Sequence, residues 1–513
     1  MITKYFAVSV GVKQKFKYQC FLVYYIMDLY DEIKKEVSSS HSILEIKSDL
    51  VKRGYLESDV NDAIQKLLNV KTEEKNKNNR ILSVKELFDR IGYGFASQQF
   101  INILFMLSGA SLLFIGLING LKTVLTYLLS GFLKEYSKIT YIGKKFISTS
   151  GMIFGFSFLG MAFAVVIKSP SLFAISIIAG TCGIIAHGGL YTDFYNAILR
   201  NDKRKNFLRF ISYFGILITA ACLLLSGFLI EWIPINGYLL SFDFPVLNLA
   251  APIGFKIYGY LLAFEITAIM FILSGYLLSF VDENKDVLYN NSENNFYSSF
   301  KEYIKISINN TSIFRKNNKI MLLTIAMILT TIAQVLGNSY YGIFIYNNFR
   351  TQFFKGFLNV AIVFVIALIA SIFATMITKK LSKSLGEAPM LVFGTLLIAL
   401  LPLTFYYNPN LYSIGLSTAL SVIGGAIVGV AQGLIAERLM NEEELRLYFS
   451  SLGFVSIFPT ILLVIIGSII AQAIGLSTLF LIIGIILVAL VMPVYFIIVL
   501  IADKEYRIRK RDA

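Results

Sequence analysis

From Leu82 to Ala502 the chain is a succession of apolar runs separated by short polar segments. Each run approaches or exceeds about 20 residues, enough to cross a hydrocarbon core of about 30 Å as a helix. Strands of a membrane barrel would alternate between apolar and polar, whereas stretches such as Thr478–Ala502 are apolar on every face. Helices suit lipid because they pair their own N–H and C=O groups. The pattern predicts spans at 91–112, 114–134, 146–167, 171–196, 207–230 and 254–281, then at 318–346, 353–378, 388–407, 411–436, 448–473 and 477–502. The expected fold is therefore an all-α membrane protein of twelve helices, arranged as two six-helix bundles.

The polar segments divide the rest. Residues 1–80 read as a cytosolic helical extension and linker, 81–281 as the first bundle, 282–317 as a cytosolic linker, and 318–513 as the second bundle with a basic tail. In the extension, Tyr24–Val37 reads as a helix. A second, with Ile43, Leu44, Ile46, Leu50 and Val51, ends at Gly54, and Ser58 caps a third carrying Val60, Ala63, Ile64, Leu67 and Leu68 on one face. This arrangement resembles ubiquitin-associated-type three-helix modules. A docking module and a locally stabilised appendage are both compatible with it. Lys71–Arg80 reads as a polar linker, and Ser83 with Glu86 as a capping box before the first span. In the central linker, Phe296, Phe300, Tyr303, Ile304 and Ile308 share a helical face beside Lys301 and Lys305, the pattern of a helix on the inner leaflet.

Composition agrees: 56% of the 513 residues are hydrophobic and 15% charged, against about a quarter charged in soluble proteins. The mean hydropathy is +0.69. The net charge of +14 lies in alternate loops, through Lys134, Lys138, Lys144 and Lys145, then Arg200, Lys203, Arg204, Lys205 and Arg209, then Lys301, Lys305, Arg315, Lys316 and Lys319. Lys379, Lys380 and Lys383 follow, and finally Lys504, Arg507, Arg509, Lys510 and Arg511. Basic loops stay in the cytoplasm, so the pattern predicts a multi-pass protein of the cell membrane with both termini cytoplasmic, and it argues against nucleic acid as a partner. Cys20, Cys182 and Cys222 are scattered and the histidines are His41 and His187, so no disulfide framework, metal site or cofactor is expected. No cleavable signal peptide is expected ahead of the first span, and no Walker sequence for ATP hydrolysis is present.

The halves resemble each other. The segment TCGIIAHGGLYTDFYNAILRNDKRKNF before the fifth span parallels VIGGAIVGVAQGLIAERLMNEEELRLYF before the eleventh. Leu133–Lys138 with Gly143 parallels Thr378–Lys383 with Gly386. Repeats of this kind mark secondary carriers, whose site lies between the repeats near the midplane.

Span count, central linker and loop repeat together resemble the major facilitator superfamily. The resemblance covers about Leu82 to Ala502. The family's loop after span 2 reads G-x-L-x-D-R-x-G-[RK]-[RK]; here Gly131 and Leu133 match, Glu135 replaces Asp, Tyr136 replaces Arg, and Gly143-Lys144-Lys145 lies further on. The resemblance implies alternating access and a gate at this loop, with Gly131, Glu135 and, after span 4, Arg200 as gate candidates. The proton-antiporter run of span 5 is absent, since Ile211–Ile230 holds no proline, and so is the embedded arginine of span 4 in drug exporters.

An ionisable group in the bilayer costs roughly 2.5–3.5 kcal/mol or more, which makes Lys122 in span 2 and Glu265 in span 6 candidates for a substrate or proton site, or for a mutual salt bridge. On span 4, Asp193 and Asn196 with Arg200 approach the cytosolic end, where a gate role and a plain solvated helix end are both open, and His187 reads as a satisfied core histidine in preference to a proton carrier. Gln334, Asn338 and Tyr341 recur at i, i+4, i+7 on span 7 and could bind a solute; Gln98, Gln99 and Asn102 on span 1 and Gln432 on span 10 are comparable. The resemblance places spans 1, 4, 7 and 10 around the cavity. The expected function is a non-enzymatic secondary transporter for a small solute, working as a monomer in membrane lipid, with coupling to protons or another ion left open. A lipid or oligosaccharide flippase is the alternative, followed by a multipass membrane enzyme.

Overall fold

In the computed structural model, which describes residues 49–53, 57–139, 144–198, 207, 211–233, 238–242, 253–282, 296–384 and 386–500, the apolar runs become helices. Helix α1 (Glu57–Phe95) is followed by α2 (Gln98–Leu107), α3 (Leu112–Ile139), α4 (Lys144–Val166) and α5 (Pro170–Ile198). Helix α6 opens with a π-turn at Ile211–Gly215 and continues as Ile216–Trp232, and α7 is Gly259–Leu278. The linker supplies α8 (Phe296–Asn309) and a 3₁₀ turn at Asn310–Arg315. The second set comprises α9 (Asn318–Asn348), α10 (Gly356–Ser384), α11 (Glu387–Tyr407), α12 (Leu411–Leu439), α13 (Glu442–Ala473) and α14 (Leu476–Leu500, with a π-segment at Ile486–Val491).

Among the described residues, eleven helices are long and apolar enough to cross a membrane. The first span is different. It is divided between the end of α1 and the short apolar α2, and breaks at Ala96-Ser97, where the Ser97 hydroxyl accepts from the Phe100 N–H and caps α2. A serine there offers the backbone an alternative to continuing the ladder. Two further expectations fail nearby. Helix α1 runs unbroken through Lys71–Arg80 and Ser83, the expected linker and capping box. Polarity alone does not stop a helix; the segment holds no Gly or Pro, and Lys and Glu are good helix formers. Between α6 and α7, the expected helix start at 254 is a strand: β1 (Tyr238–Phe242) pairs antiparallel with β2 (Ile253–Ile257), Tyr238 opposite Ile257. The helix starts after it, at Gly259.

The described chain forms two compact units, Met1–Ile81 with Val281–Tyr289 and Leu82–Phe280 with Asn290–Ala513. In the smaller unit, Asn78 exchanges two hydrogen bonds with the Asp282 backbone, each 3.0 Å, and Lys77 donates to the Asp282 carboxylate at 2.9 Å. Tyr24–Val37 lies outside the described residues.

In the larger unit the helix pairings repeat. Span 2 packs on span 4, and span 3 on spans 4 and 6, through α3–α5, α4–α5 and α4–α7; the second half repeats this through α10–α12, α11–α12 and α11–α14. Two further contacts join the halves, α3 on α13 and α6 on α10. Glycines permit the first of these. A Cβ at Gly116 would drive into Ser468 and Tyr340, and one at Gly120 would lie 3.0 Å from Val464. Gly116→Leu should therefore lower the thermal stability of the detergent-purified protein by about 1–3 kcal/mol of overpacking, read as monodisperse protein surviving a heating series.

Candidate functional site

The bundle has two faces, the linker side, which carries α8 and the α12–α13 turn, and a far side, which carries the β1–β2 hairpin. A cavity of about 700 Å³ lies in the linker-side half. Tyr127, Ser130 and Gly131 of α3 line one wall; Thr330, Thr331 and Gln334 of α9 and Gln432 of α12 line another. Helix α13 contributes Arg446, Ser450, Gly453 and Ser456, and α8 contributes Tyr303. Hydroxyl and amide groups thus face the space between apolar walls, a composition suited to a small polar ligand. Gly425, Gly429 and Gly453 add lining without side chains and widen the cavity.

The mouth is organised by α8. Phe132 packs edge-on to Phe300 at 5.0 Å and meets Tyr303 at 5.9 Å. The Tyr303 hydroxyl occupies the space where Gly131 has no Cβ. Asn441 and Glu444 cap α13 in a reciprocal box, and Lys316 of the linker is bonded to Glu444.

On the far side the halves bond directly. The Gln99 amide accepts from Gly342 N–H at 3.0 Å and donates to the Asn338 carbonyl at 3.2 Å, the two groups an α-helix pairs with each other. Asn102, fully buried, donates to the carbonyls of Asn338 (3.0 Å) and Ser339 (3.1 Å). The Tyr340 hydroxyl lies 3.0 Å from the Leu112 carbonyl and 2.9 Å from Ser468 Oγ, able to donate to either, and Glu231 of α6 accepts from Phe357 N–H of α10 at 3.0 Å. The far side is closed while the linker side holds the cavity.

These bonds continue inward as a directed chain. The Lys122 ammonium donates to Gln98 Oε1, and Gln98 Nε2 donates to Asn102 Oδ1 at 3.1 Å and to Asn119 Oδ1 at 3.2 Å. Asn119 Nδ2 also donates to Asn102 Oδ1, at 3.1 Å. The ends fix every amide's orientation: an ammonium can only donate, and the α9 carbonyls can only accept.

A second polar cluster lies within the first half. Lys85 and Asp89 of α1 are 1% and 4% exposed and form an ion pair at 2.6 Å. Glu86 is 3.7 Å from Lys85 and 3.8 Å from Arg90. Asp89 accepts from Ser274 of α7 and faces His187 Nε2 of α5 at 3.5 Å. His187 Nδ1 lies 3.0 Å from the Ile147 carbonyl, Lys85 sits 3.3 Å from the Tyr191 ring centroid, and Gly151 leaves room for the imidazole.

No family model and no curated protein matches the sequence. Solved structures do match. The nucleoside transporter NupG superposes with a TM-score of 0.62 at 12% identity, covering 82% of this chain and 98% of its own. A bacterial homologue of the iron transporter ferroportin, in an inward-facing state, gives 0.57 at 15% identity over 82% and 98%. A D-xylose-proton symporter gives 0.53 at 16% identity over 81% and 96%.

The chain has the fold of a major facilitator superfamily transporter.

In this superfamily fold the sequence-derived residues part company. Gln334 and Gln432 line the cavity, with Gln432 bonded to Tyr495. Gln98, Asn102 and Lys122 come together in the directed chain. Asn338 takes part through its carbonyl. Tyr341 does not line the cavity; it is buried in an aromatic cluster, stacked on Phe405 at 4.8 Å and beside Phe480 at 5.1 Å. Gln334 and Tyr341 do share a face, but seven residues, roughly 10.5 Å of helix rise, separate them, so the ring lies beyond the cavity and packs within its own half. Glu265 is half-buried on α7, which packs on α4 and α6, and Lys122 bonds to Gln98; the two form no ion pair. Gly131 meets α8. The side chains of Glu135, Asp193 and Asn196, and the whole of Arg200, lie outside the described residues.

Sequence reading missed the contribution of α13 and the ion cluster. Arg446, Ser450 and Ser456 are not among the sequence-derived candidates. Lys85, Asp89 and Arg90 are not among the candidates, and Glu86 figures only in the capping box with Ser83; the i, i+4 spacing of Lys85 with Asp89 and of Glu86 with Arg90 was the available signal.

Proposed function

We propose that this chain is a secondary active transporter whose six-helix halves rock about the central cavity, and that the structure is its linker-side-open state. The observation that carries the reading is one-sided access: a polar cavity of about 700 Å³ lies behind a far side sealed by bonds between the halves. Alternating access requires such a pair of mutually exclusive gates. The linker side carries Lys144, Lys145, Lys301, Lys305, Lys316, Lys319, Lys379 and Lys380, which supports a cytoplasmic linker side and cytoplasmic termini in the cell membrane. The described residues that line the cavity come from both halves of one chain, which supports a monomer as the working unit. The functional divisions are 1–80 as an appendage, 81–281 and 318–513 as the rocking halves, and 282–317 as the strap between them.

The test is uptake of a solute panel into proteoliposomes containing the full chain. Saturable accumulation of one solute is expected; lipid scrambling without solute flux would instead establish a flippase and overturn the reading.

Proton coupling is supported by the buried cluster. The Ile147 carbonyl can only accept, so His187 Nδ1 carries a hydrogen and an added proton must enter at Nε2, facing Asp89. Lys85, Glu86, Arg90, Tyr191 and Ser274 surround that position. His187→Gln should leave solute exchange intact and abolish the response to an imposed pH gradient. An unchanged gradient response would remove His187 from coupling.

A further inference from the structure

We infer that the transported solute is an anion, a small carboxylate or phosphate, and that Lys122 is the cation that binds it and reports its presence to the far-side gate. The inference rests on the transport reading and names its substrate class. Three observations carry it.

The first is charge. Among the described residues, those lining the cavity include the cation Arg446 and no carboxylate. Arg446 also borders a neighbouring space of about 220 Å³ with Glu302, so the cation at the mouth has an acid within the same region. Lys122 has none among the described residues. Its ammonium meets the Gln98 amide, and Glu265, the acid expected to balance it, stays on α7 against α4 and α6. A cation embedded in the bilayer with only an amide oxygen as partner is costly. An anionic ligand supplies the missing charge.

The second is position. Lys122 lies five residues before Tyr127, a cavity-lining residue on the same helix, so roughly 7.5 Å of helix rise separates them. Lys122 and Gln98 are only half-buried, whereas Asn102 beyond them is fully buried. Lys122 and Gln98 thus form the less buried end of the polar chain, one to two turns beyond the cavity lining on the same helix.

The third is the chain's direction. Lys122 donates to Gln98, Gln98 to Asn102, and Asn102 to the Asn338 and Ser339 carbonyls that close the far side. An anion competes with Gln98 Oε1 for the ammonium, because a charge-assisted bond is roughly twice as strong as a neutral one. Once the ammonium turns to the anion, the Gln98 amide loses the partner that fixes its orientation. The donors holding the far side are loosened from within, and a cation that binds cargo becomes the first link of the gate. A neutral solute would leave Lys122 on Gln98 and the seal intact.

The experiment uses the full chain in detergent and in proteoliposomes, with succinate, inorganic phosphate and glucose 6-phosphate as anionic probes, glucose and uridine as neutral ones, and choline as a cationic one. At least one anionic probe should bind and be taken up. Lys122→Gln should weaken that binding at least about tenfold, the loss expected for a hydrogen bond to a charged group, while Lys122→Arg retains most of it. If Lys122→Gln does not fold, Arg446→Gln offers a second reading: anion uptake should slow by a few-fold, more so at low ionic strength. Saturable uptake of glucose, uridine or choline that survives Lys122→Gln would overturn the anion assignment and leave the transport reading standing. Lipid scrambling without flux of any probe would overturn both.

Discussion

Asp89→Ala should be the most damaging single substitution in the first half, destabilising the folded protein by about 3–5 kcal/mol. The carboxylate is 4% exposed and serves Lys85, Ser274 and the face of His187 at once. Its removal leaves the Lys85 ammonium 1% exposed, with Glu86 at 3.7 Å as its nearest remaining acid. Folded yield and melting temperature by size-exclusion chromatography measure the loss. Asp89→Ala combined with Lys85→Met should recover much of it, because the cost arises from stranding a buried charge, not from losing attraction as such. A double variant no more stable than the single one would show that Asp89 acts chiefly through Ser274 and His187.

Asn102→Leu is the second large effect, and it falls on conformation more than on folding. The fully buried amide donates to the Asn338 and Ser339 carbonyls and accepts from Gln98 and Asn119. Leaving one buried polar group unpaired costs about 1–3 kcal/mol, and here the cost falls on the far-side-closed state, in which the halves meet. Each 1.4 kcal/mol is tenfold in an equilibrium constant. The linker-side-open population should therefore drop by roughly tenfold or more. Spin labels at Ser130→Cys and Ser450→Cys, cavity-lining positions on the two halves, would report it once Cys20, Cys182 and Cys222 are replaced. A marked shift toward shorter separations is expected; an unchanged distance distribution would separate Asn102 from the gate.

Both predictions concern amides and ions whose partners lie far away in sequence. Gln99 and Gly342 are 243 residues apart, and Asn102 and Asn338 are 236. Periodicity places such residues on a helix and can suggest a face, but it does not say which helix that face meets. Tyr341 and Glu265 illustrate the difference. Each sits on a correctly predicted span, yet one turns into an aromatic cluster and the other stays at the edge of its own half.

What the sequence determined by itself was the membrane fold. Runs of about 20 apolar residues must form helices in lipid, whatever their neighbours, and the related loops of the two halves pointed to a repeated bundle. The first span's break was locally encoded too, in Ser97. Only the tertiary structure decided which side holds the cavity, that α13 and Tyr303 of the linker line it, and that Lys85, Asp89 and His187 form one buried cluster. It also separated Lys122 from Glu265. Polar contacts between helices depend on rotation and depth, which many sequences satisfy equally, whereas burial of a whole span depends on hydropathy alone.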